Sequence, residues 1–224
     1  MSYCLLCNTN YKPKLNFEKL FLMKKQNDKV VCPNCLNTFE KITVNCCFNC
    51  SRPGKKVDLC VDCQRWKREY KGELLENRSL FKYNQALHDV MVNYKRYGDY
   101  ILYQVLVELI RESLPLADYY VPVPTSESHF KRRQFDTVSE IYKSLVPLIQ
   151  VLEKHDDGLA QGEKNRQQRL ETLQSFYVNE KLNLKGNILI LDDIYTTGRT
   201  LYHARDALAA VCPDASIKSF TIAR

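Results

Sequence analysis

Long hydrophobic runs are missing. No apolar stretch in the 224 residues approaches the ~20 that a membrane helix needs. The start, Met1-Ser2-Tyr3-Cys4, has no charged-then-apolar leader. That speaks against secretion and for the cytoplasm, where disulfides are rare. Glycine and proline are few, 7 and 8, which excludes a collagen-like or low-complexity chain. With 45% hydrophobic and 26% charged residues the composition is globular, and the length suits one domain plus a small appendage. Histidine is scarce. His88, His129, His155 and His203 have no partners recognisable from sequence, and no residue offers itself as an obvious general base.

Cysteine is nearly absent from the last two-thirds, where only Cys212 occurs; the other nine lie between Cys4 and Cys63. Charge divides at the same place. Residues 1–72 carry 14 Lys+Arg against 6 Asp+Glu, whereas residues 73–224 carry 19 against 20. Two units are expected: a cysteine-rich module over 1–72 and an α/β domain over 73–224, with Lys67 to Glu73 as a polar linker.

Four C-x-x-C pairs stand in the module: Cys4/Cys7, Cys32/Cys35, Cys47/Cys50 and Cys60/Cys63. This spacer aims two thiolates at one ion from a single turn. Two such pairs supply the four soft ligands of tetrahedral zinc, a closed and structural site. Eight ligands fill two sites. Pairing neighbours is simplest, and interleaving the pairs as a cross-brace is the alternative. Cys46 is a weaker candidate, and Cys212 reads as a buried thiol. None of the pairs opens a helix in a clear strand–helix context, which ranks a redox role below the metal one. A zinc ion with four thiolates carries a net −2, so two sites would halve the module's formal excess of eight positive charges. The basic runs Lys24-Lys25, Lys55-Lys56 and Arg65-Trp66-Lys67-Arg68 then give a modest nucleic-acid signal. Trp66 would be available for base stacking, and a solvated face is the bland reading.

Beyond residue 73 the pattern alternates. Helices are expected over Gln85–Tyr94, Ile101–Leu114, Thr137–Val151 (interrupted or ended near Pro147) and Thr200–Val211. Strands are expected over Asp118–Val123, Phe176–Val178, Asn187–Leu191 and Ile217–Ala223, with a mobile polar segment over 154–172. Alternating strands and helices predict a mostly parallel sheet.

The most specific run is Ile188-Leu189-Ile190-Leu191-Asp192-Asp193-Ile194-Tyr195-Thr196-Thr197-Gly198-Arg199-Thr200. A buried strand ends in two acids, and a hydroxyl-rich glycine loop then opens a helix. Ligands of open α/β sheets sit outside the carboxyl ends of strands. The loop amides and helix N-terminus suit a phosphate, and Gly198 permits close backbone approach. Asp192 and Asp193 would repel a phosphate but suit sugar hydroxyls about one ribose away. A turn at the acids with Thr200 as a plain N-cap is the competing reading.

This run resembles the phosphoribosyl pyrophosphate signature of type I phosphoribosyltransferases. The resemblance implies that Asp192 and Asp193 hold the ribose hydroxyls, while Thr196, Thr197, Gly198, Arg199 and Thr200 hold the 5′-phosphate. A cysteine-pair module ahead of such a domain is similar to the ComF family, specifically its ComFC-like members in naturally transformable bacteria. Val121-Pro122-Val123-Pro124 and Lys131-Arg132-Arg133-Gln134-Phe135-Asp136 are similar to that family's Val-Pro-Val-Pro and Arg-Gly-Phe-Asn segments, with Gln134 and Asp136 replacing Gly and Asn. Tyr94-Lys95-Arg96-Tyr97-Gly98-Asp99 is similar to its Lys-Tyr-x-Gly-Asp element, and Gln161 and Arg169 fall in its mobile loop.

From the resemblance follow several expectations. The fold is type I phosphoribosyltransferase-like, preceded by a double zinc-ribbon module. Magnesium accompanies phosphoribosyl pyrophosphate, and Arg132 and Arg133 contact the pyrophosphate. The role lies in natural transformation, with single-stranded DNA and competence proteins such as the DNA-uptake helicase as partners. The location is cytoplasmic, reaching the inner face of the membrane through partners. The acceptor of a phosphoribosyl transfer is unnamed. The competing function is a non-enzymatic DNA- or partner-binding component with a retained pocket.

Overall fold

The computed structural model describes residues 2–12, 29–70, 72–154, 174–178, 182 and 184–224. The first third holds strands β1 (Ser2–Tyr3) and β2 (Asn10–Tyr11) and helices α1 (Pro33–Leu36) and α2 (Val61–Glu69). Then come β3 (Asn77–Phe81), α3 (Gln85–Lys95), a 3-10 turn at Tyr100–Leu102, α4 (Tyr103–Ile110) and β4 (Tyr119–Pro122). Helices α5 (Glu127–Arg133) and α6 (Thr137–Tyr142) and strands β5 (Leu152–Lys154) and β6 (Phe176–Val178) follow. The chain closes with β7 (Gly186–Ile194), α7 (Arg199–Val211) and β8 (Ala215–Ala223).

The fold is mixed α/β around a four-stranded sheet of order β3-β8-β7-β4. Every pairing in that sheet is parallel. β7 is central, so both of its faces are covered. Leu189 and Leu191 join the cluster containing Leu87, Leu106 and Ile141 from α3, α4 and α6. Ile188 and Ile190 join the opposite cluster with Leu201, Ala204 and Leu208 from α7. That is why the run reads as continuously apolar rather than alternating.

The cysteine-rich third straddles the β3 edge. Cys4 and Cys32 lie in the first cluster, and Cys47, Cys50 and Cys63 in the second. Where the chain crosses, Ile42 N–H donates to Leu80 O at 2.7 Å and Lys82 N–H to Glu40 O at 2.8 Å. An otherwise unpaired edge is thereby covered. A buried polar lattice adds to the join. Ser51 Oγ donates to Asn77 O at 3.0 Å, Ser79 and Thr221 hydroxyls meet at 2.7 Å, and Ser219 Oγ donates to Asn77 Oδ1 at 3.0 Å.

Several expectations need correction. The helix expected from Thr137, with an interruption or end near Pro147, stops earlier, at Tyr142. Pro147 disfavours helical backbone in the residue before it, and the chain runs beside β4 instead, Ile149 N–H donating to Tyr120 O at 2.9 Å. The helix expected over Ile101–Leu114 divides into the 3-10 turn and α4. Lys67–Glu69, expected as linker, is the last turn of α2. Two of the cysteine pairs do open helices, Cys32 as N-cap of α1 and Cys60 as N-cap of α2. β3 has no counterpart among the expected strands. The segment 154–172, with Gln161 and Arg169, falls almost entirely outside the described residues, as do His155 and Lys24-Lys25.

Candidate functional site at the carboxyl end of the central strand

β7 runs three residues past the expected end at Leu191, so Asp192 and Asp193 lie within its last paired stretch, at the carboxyl edge of the sheet. Pleating sends successive side chains to opposite sides. Asp193 is buried, 6% exposed, and pairs with the Lys95 ammonium from the last turn of α3. Asp192 accepts the Asp193 amide at 2.9 Å, and its own carbonyl accepts the Tyr142 hydroxyl at 2.9 Å. Burial, reinforced by the neighbouring Asp193 charge, pushes the Asp192 carboxyl up to about 7. The Asp193 charge raises Lys95 against the opposing effect of its burial. An acid pair with one cation is thus preset to accept hydroxyl donors, since a ligand hydroxyl would favour the ionised carboxylates.

The loop 196–198 follows directly. Thr196 and Thr197 are exposed, and Gly198 is the N-cap of α7 at φ 84° with no side chain capping the helix. Thr200 lies inside α7 and does not cap it. Gly198 has no side chain to cap the helix, and of the first-turn amides only that of Arg199 meets a side-chain acceptor among the described residues, Thr197 Oγ1 at 3.4 Å; an N-terminus so open suits a phosphate. Gly198 is required on two counts: its left-handed backbone, and a Cβ there would collide with the Tyr195 hydroxyl.

Arg132 and Arg133 end α5 near this edge. Arg133 donates from Nε to the Lys95 carbonyl at 2.6 Å, so it braces Lys95. Arg132 is exposed. Gln134 occupies the left-handed region at φ 66°, which explains why a glycine suits this position. Asp136 accepts two amides, Thr125 N–H on Oδ2 and Ser139 N–H on Oδ1, both at 2.7 Å. An asparagine has one such oxygen. Replacing Gln134 by glycine is expected to stabilise the chain by about 0.5–1 kcal/mol, read as a higher urea midpoint with unchanged slope; a lower midpoint would refute a strained turn.

The cysteines assemble as neighbours: Cys4, Cys7, Cys32 and Cys35 form one tetrad, and Cys47, Cys50, Cys60 and Cys63 the other. Tetrahedral zinc with bonds of ~2.3 Å requires sulfurs about 3.8 Å apart. The separations are 3.7 Å for Cys7–Cys32, 3.8 Å for Cys47–Cys63 and 3.6 Å for Cys50–Cys60. Amides donate to the sulfurs, Cys32 N–H to Cys4 Sγ and Cys60 N–H to Cys47 Sγ, both at 3.3 Å. Such donors favour thiolates. Both tetrads can hold zinc, and neither Cys46 nor Cys212 belongs to one.

Several residues of the site carry little or no signal in the sequence. Lys95 stands out there only as one member of a motif. Tyr142, Asp62 and Arg224 have no local signature, because each reaches the site from a remote element. Trp66 is placed differently from its expected DNA-facing role. Its ring stacks on Tyr202 at 4.0 Å and 12°, and Nε1 donates to Thr197 O at 2.8 Å.

A parallel sheet with an acid pair and a glycine loop at one strand end, joined to two cysteine tetrads, defines the class: a parallel-sheet α/β protein with an N-terminal part able to bind metal. No protein-family model matches the chain. It is 33% identical over 224 residues to competence protein ComFC of Streptococcus pneumoniae (strain ATCC BAA-255 / R6), spanning 99% of each. Over 240 residues it is 29% identical to competence protein ComFC of Bacillus subtilis (strain 168), spanning 99% of this chain and 94% of that one. Among solved structures it is similar to that of the allosteric regulatory enzyme of purine biosynthesis, with TM-score 0.33 and 16% identity over 52% of this chain and 24% of that chain. A structural likeness of that size carries no argument. The sequence likeness does: the chain belongs to the ComFC family of competence proteins. Among the described residues no helix is long and apolar enough to cross a membrane.

Proposed function

We propose that this competence protein binds phosphoribosyl pyrophosphate, with magnesium, at the carboxyl end of β7. The observation that carries the reading is the acid pair, held by Lys95, directly ahead of an uncapped helix N-terminus whose N-cap is Gly198. Asp192 and Asp193 accept the ribose hydroxyls, and residues 196–200 receive the 5′-phosphate. Arg132 serves the pyrophosphate. Magnesium would neutralise charge on that group. The 1–72 module carries two structural zinc ions, and the whole acts in DNA uptake.

Titration calorimetry with phosphoribosyl pyrophosphate and magnesium tests this. Binding is expected in the parent and is lost in the Asp192→Ala/Asp193→Ala variant; no heat from the parent would sink the assignment. Transfer would form a bond from a nitrogen nucleophile to ribose C1 as the C1–oxygen bond to pyrophosphate breaks, the nucleophile's proton passing to solvent. Pyrophosphate release with a panel of nucleobases separates a transferase from a binding protein.

A further inference from the structure

The second tetrad is wired to the loop that follows the acid pair. Helix α2 starts at the ligand Cys60, carries the ligand Cys63, and bears Asp62 and Trp66 one turn apart. Residues four apart share a helix face. Both side chains reach the far domain. Trp66 Nε1 donates to Thr197 O at 2.8 Å. Asp62 Oδ2 accepts Arg224 Nη2 at 3.0 Å and Arg52 Nη1 at 2.8 Å. Arg224, whose side chain is 5% exposed, ends the chain after β8. Its guanidinium lies 4.2 Å from the centre of the Tyr195 ring and donates from Nη1 to Thr196 O at 3.4 Å.

Two successive carbonyls of the loop are therefore held from the tetrad side. In a planar trans peptide the N–H points opposite to the carbonyl. Fixing Thr196 O and Thr197 O on one side turns the amides of Thr197 and Gly198 to the other, where an anion would sit. The stack of Trp66 on Tyr202 ties the same helix to the first turn of α7. Among the described residues the other tetrad has no such wiring; Cys4 and Cys32 pack in the cluster on the opposite face of the sheet.

We propose that α2, fixed at its start by zinc in the Cys47/Cys50/Cys60/Cys63 tetrad, holds the 196–198 loop in its anion-accepting form, with Trp66 and Arg224 as positioning residues, so that zinc there and a 5′-phosphate at the loop bind with positive coupling. This rests on the reading of that loop given above. Coupling is reciprocal in equilibrium affinity. One zinc equivalent should therefore be held more tightly when ribose 5-phosphate is present, and the other should not change.

The test uses the zinc-loaded full chain and ribose 5-phosphate as the probe. Trp66→Phe keeps a ring on Tyr202 but loses the donor, and Arg224→Lys keeps the charge but loses the fork. Each is expected to retain two zinc ions and an unchanged fold by circular dichroism while binding ribose 5-phosphate about threefold to tenfold more weakly, the scale of one hydrogen bond. In equilibrium competition with a zinc chelator, ribose 5-phosphate should shift one of the two zinc equivalents in the parent and neither in the variants. Trp66 is the sole tryptophan, so its emission should also change on ligand addition. Parent-like affinity in both folded variants, or chelator curves unmoved by ligand in the parent, would overturn the coupling while leaving the binding site standing. Absence of ribose 5-phosphate and phosphoribosyl pyrophosphate binding to the parent would overturn both.

Discussion

Removing zinc is expected to lower the melting temperature of the whole chain, not only of its first third. Structural zinc contributes an apparent ~10–16 kcal/mol in zinc-finger peptides near neutral pH, comparable to the ~5–15 kcal/mol that stabilises an entire domain. Cys4 and Cys32 are part of the apolar cluster on one face of the sheet, and Cys47, Cys50 and Cys63 of the cluster on the other. Four uncompensated thiols at either place would repel as thiolates or sit as loosely packed neutral groups, and the crossing at Ile42 and Lys82 would lose its anchor on both sides. Metal analysis should return two zinc ions per chain. Cys50→Ser, at a site 0% exposed, should cost one ion and a large part of the melting temperature. Cys46→Ser should cost neither, and Cys212→Ser, inside the apolar cluster around α7, should keep both ions. A chain that keeps two ions after Cys50→Ser would show that the tetrads are assigned wrongly.

The parts legible from sequence were those written in short range. The run Ile188–Leu191 reads as a buried strand, the two acids fall at its carboxyl end inside β7, and Gly198 turns the chain into α7. The cysteine spacing predicted two four-thiolate sites, although neighbour and cross-brace pairings both fit that spacing and only the placement of the sulfurs decides between them. What was not legible depended on contacts between distant segments. β3 reads Asn-Arg-Ser-Leu-Phe, a polar string that becomes a strand because Ser219 and Thr221 satisfy its Asn77 and Ser79 side chains while Ser51 Oγ meets its backbone at Asn77 O and Ser79 N–H. Trp66 looked like a solvent-facing aromatic in a basic run, and its partners Thr197 and Tyr202 are more than 130 residues away in sequence. Lys95 ends an ordinary amphipathic helix; nothing local says that its ammonium meets Asp193.

That ammonium carries the other large expectation. Lys95→Met should destabilise the chain by about 2–3 kcal/mol at pH 8, somewhat below the ~3–5 kcal/mol seen when a fully buried pair loses one partner, because Lys95 is 26% exposed. The pH dependence follows from the direction in which the site moves its carboxyl. Asp192 is raised to about 7 in the folded chain against ~3.9 when unfolded. Between those values the folded state binds more protons than the unfolded one, so stability falls as pH rises through that window, and the full penalty is present above pH 7. Lys95 offsets part of it. Without the lysine both acids face each other uncompensated, the penalty grows, and its window extends to higher pH. Urea melts should therefore show Lys95→Met close to the parent near pH 4 and increasingly weaker toward pH 8. Asp192→Asn should gain about 2 kcal/mol at pH 8 and little near pH 4: a tenfold change in proton affinity is worth ~1.4 kcal/mol, and partial exposure of the carboxyl reduces the sum. Lys95→Met/Asp193→Asn should recover most of the loss, since removing both charges leaves nothing buried and unpaired. A Lys95→Met penalty of equal size at pH 4 and pH 8 would mean that the side chain acts by packing alone and that the acid pair is not held in place by its charge.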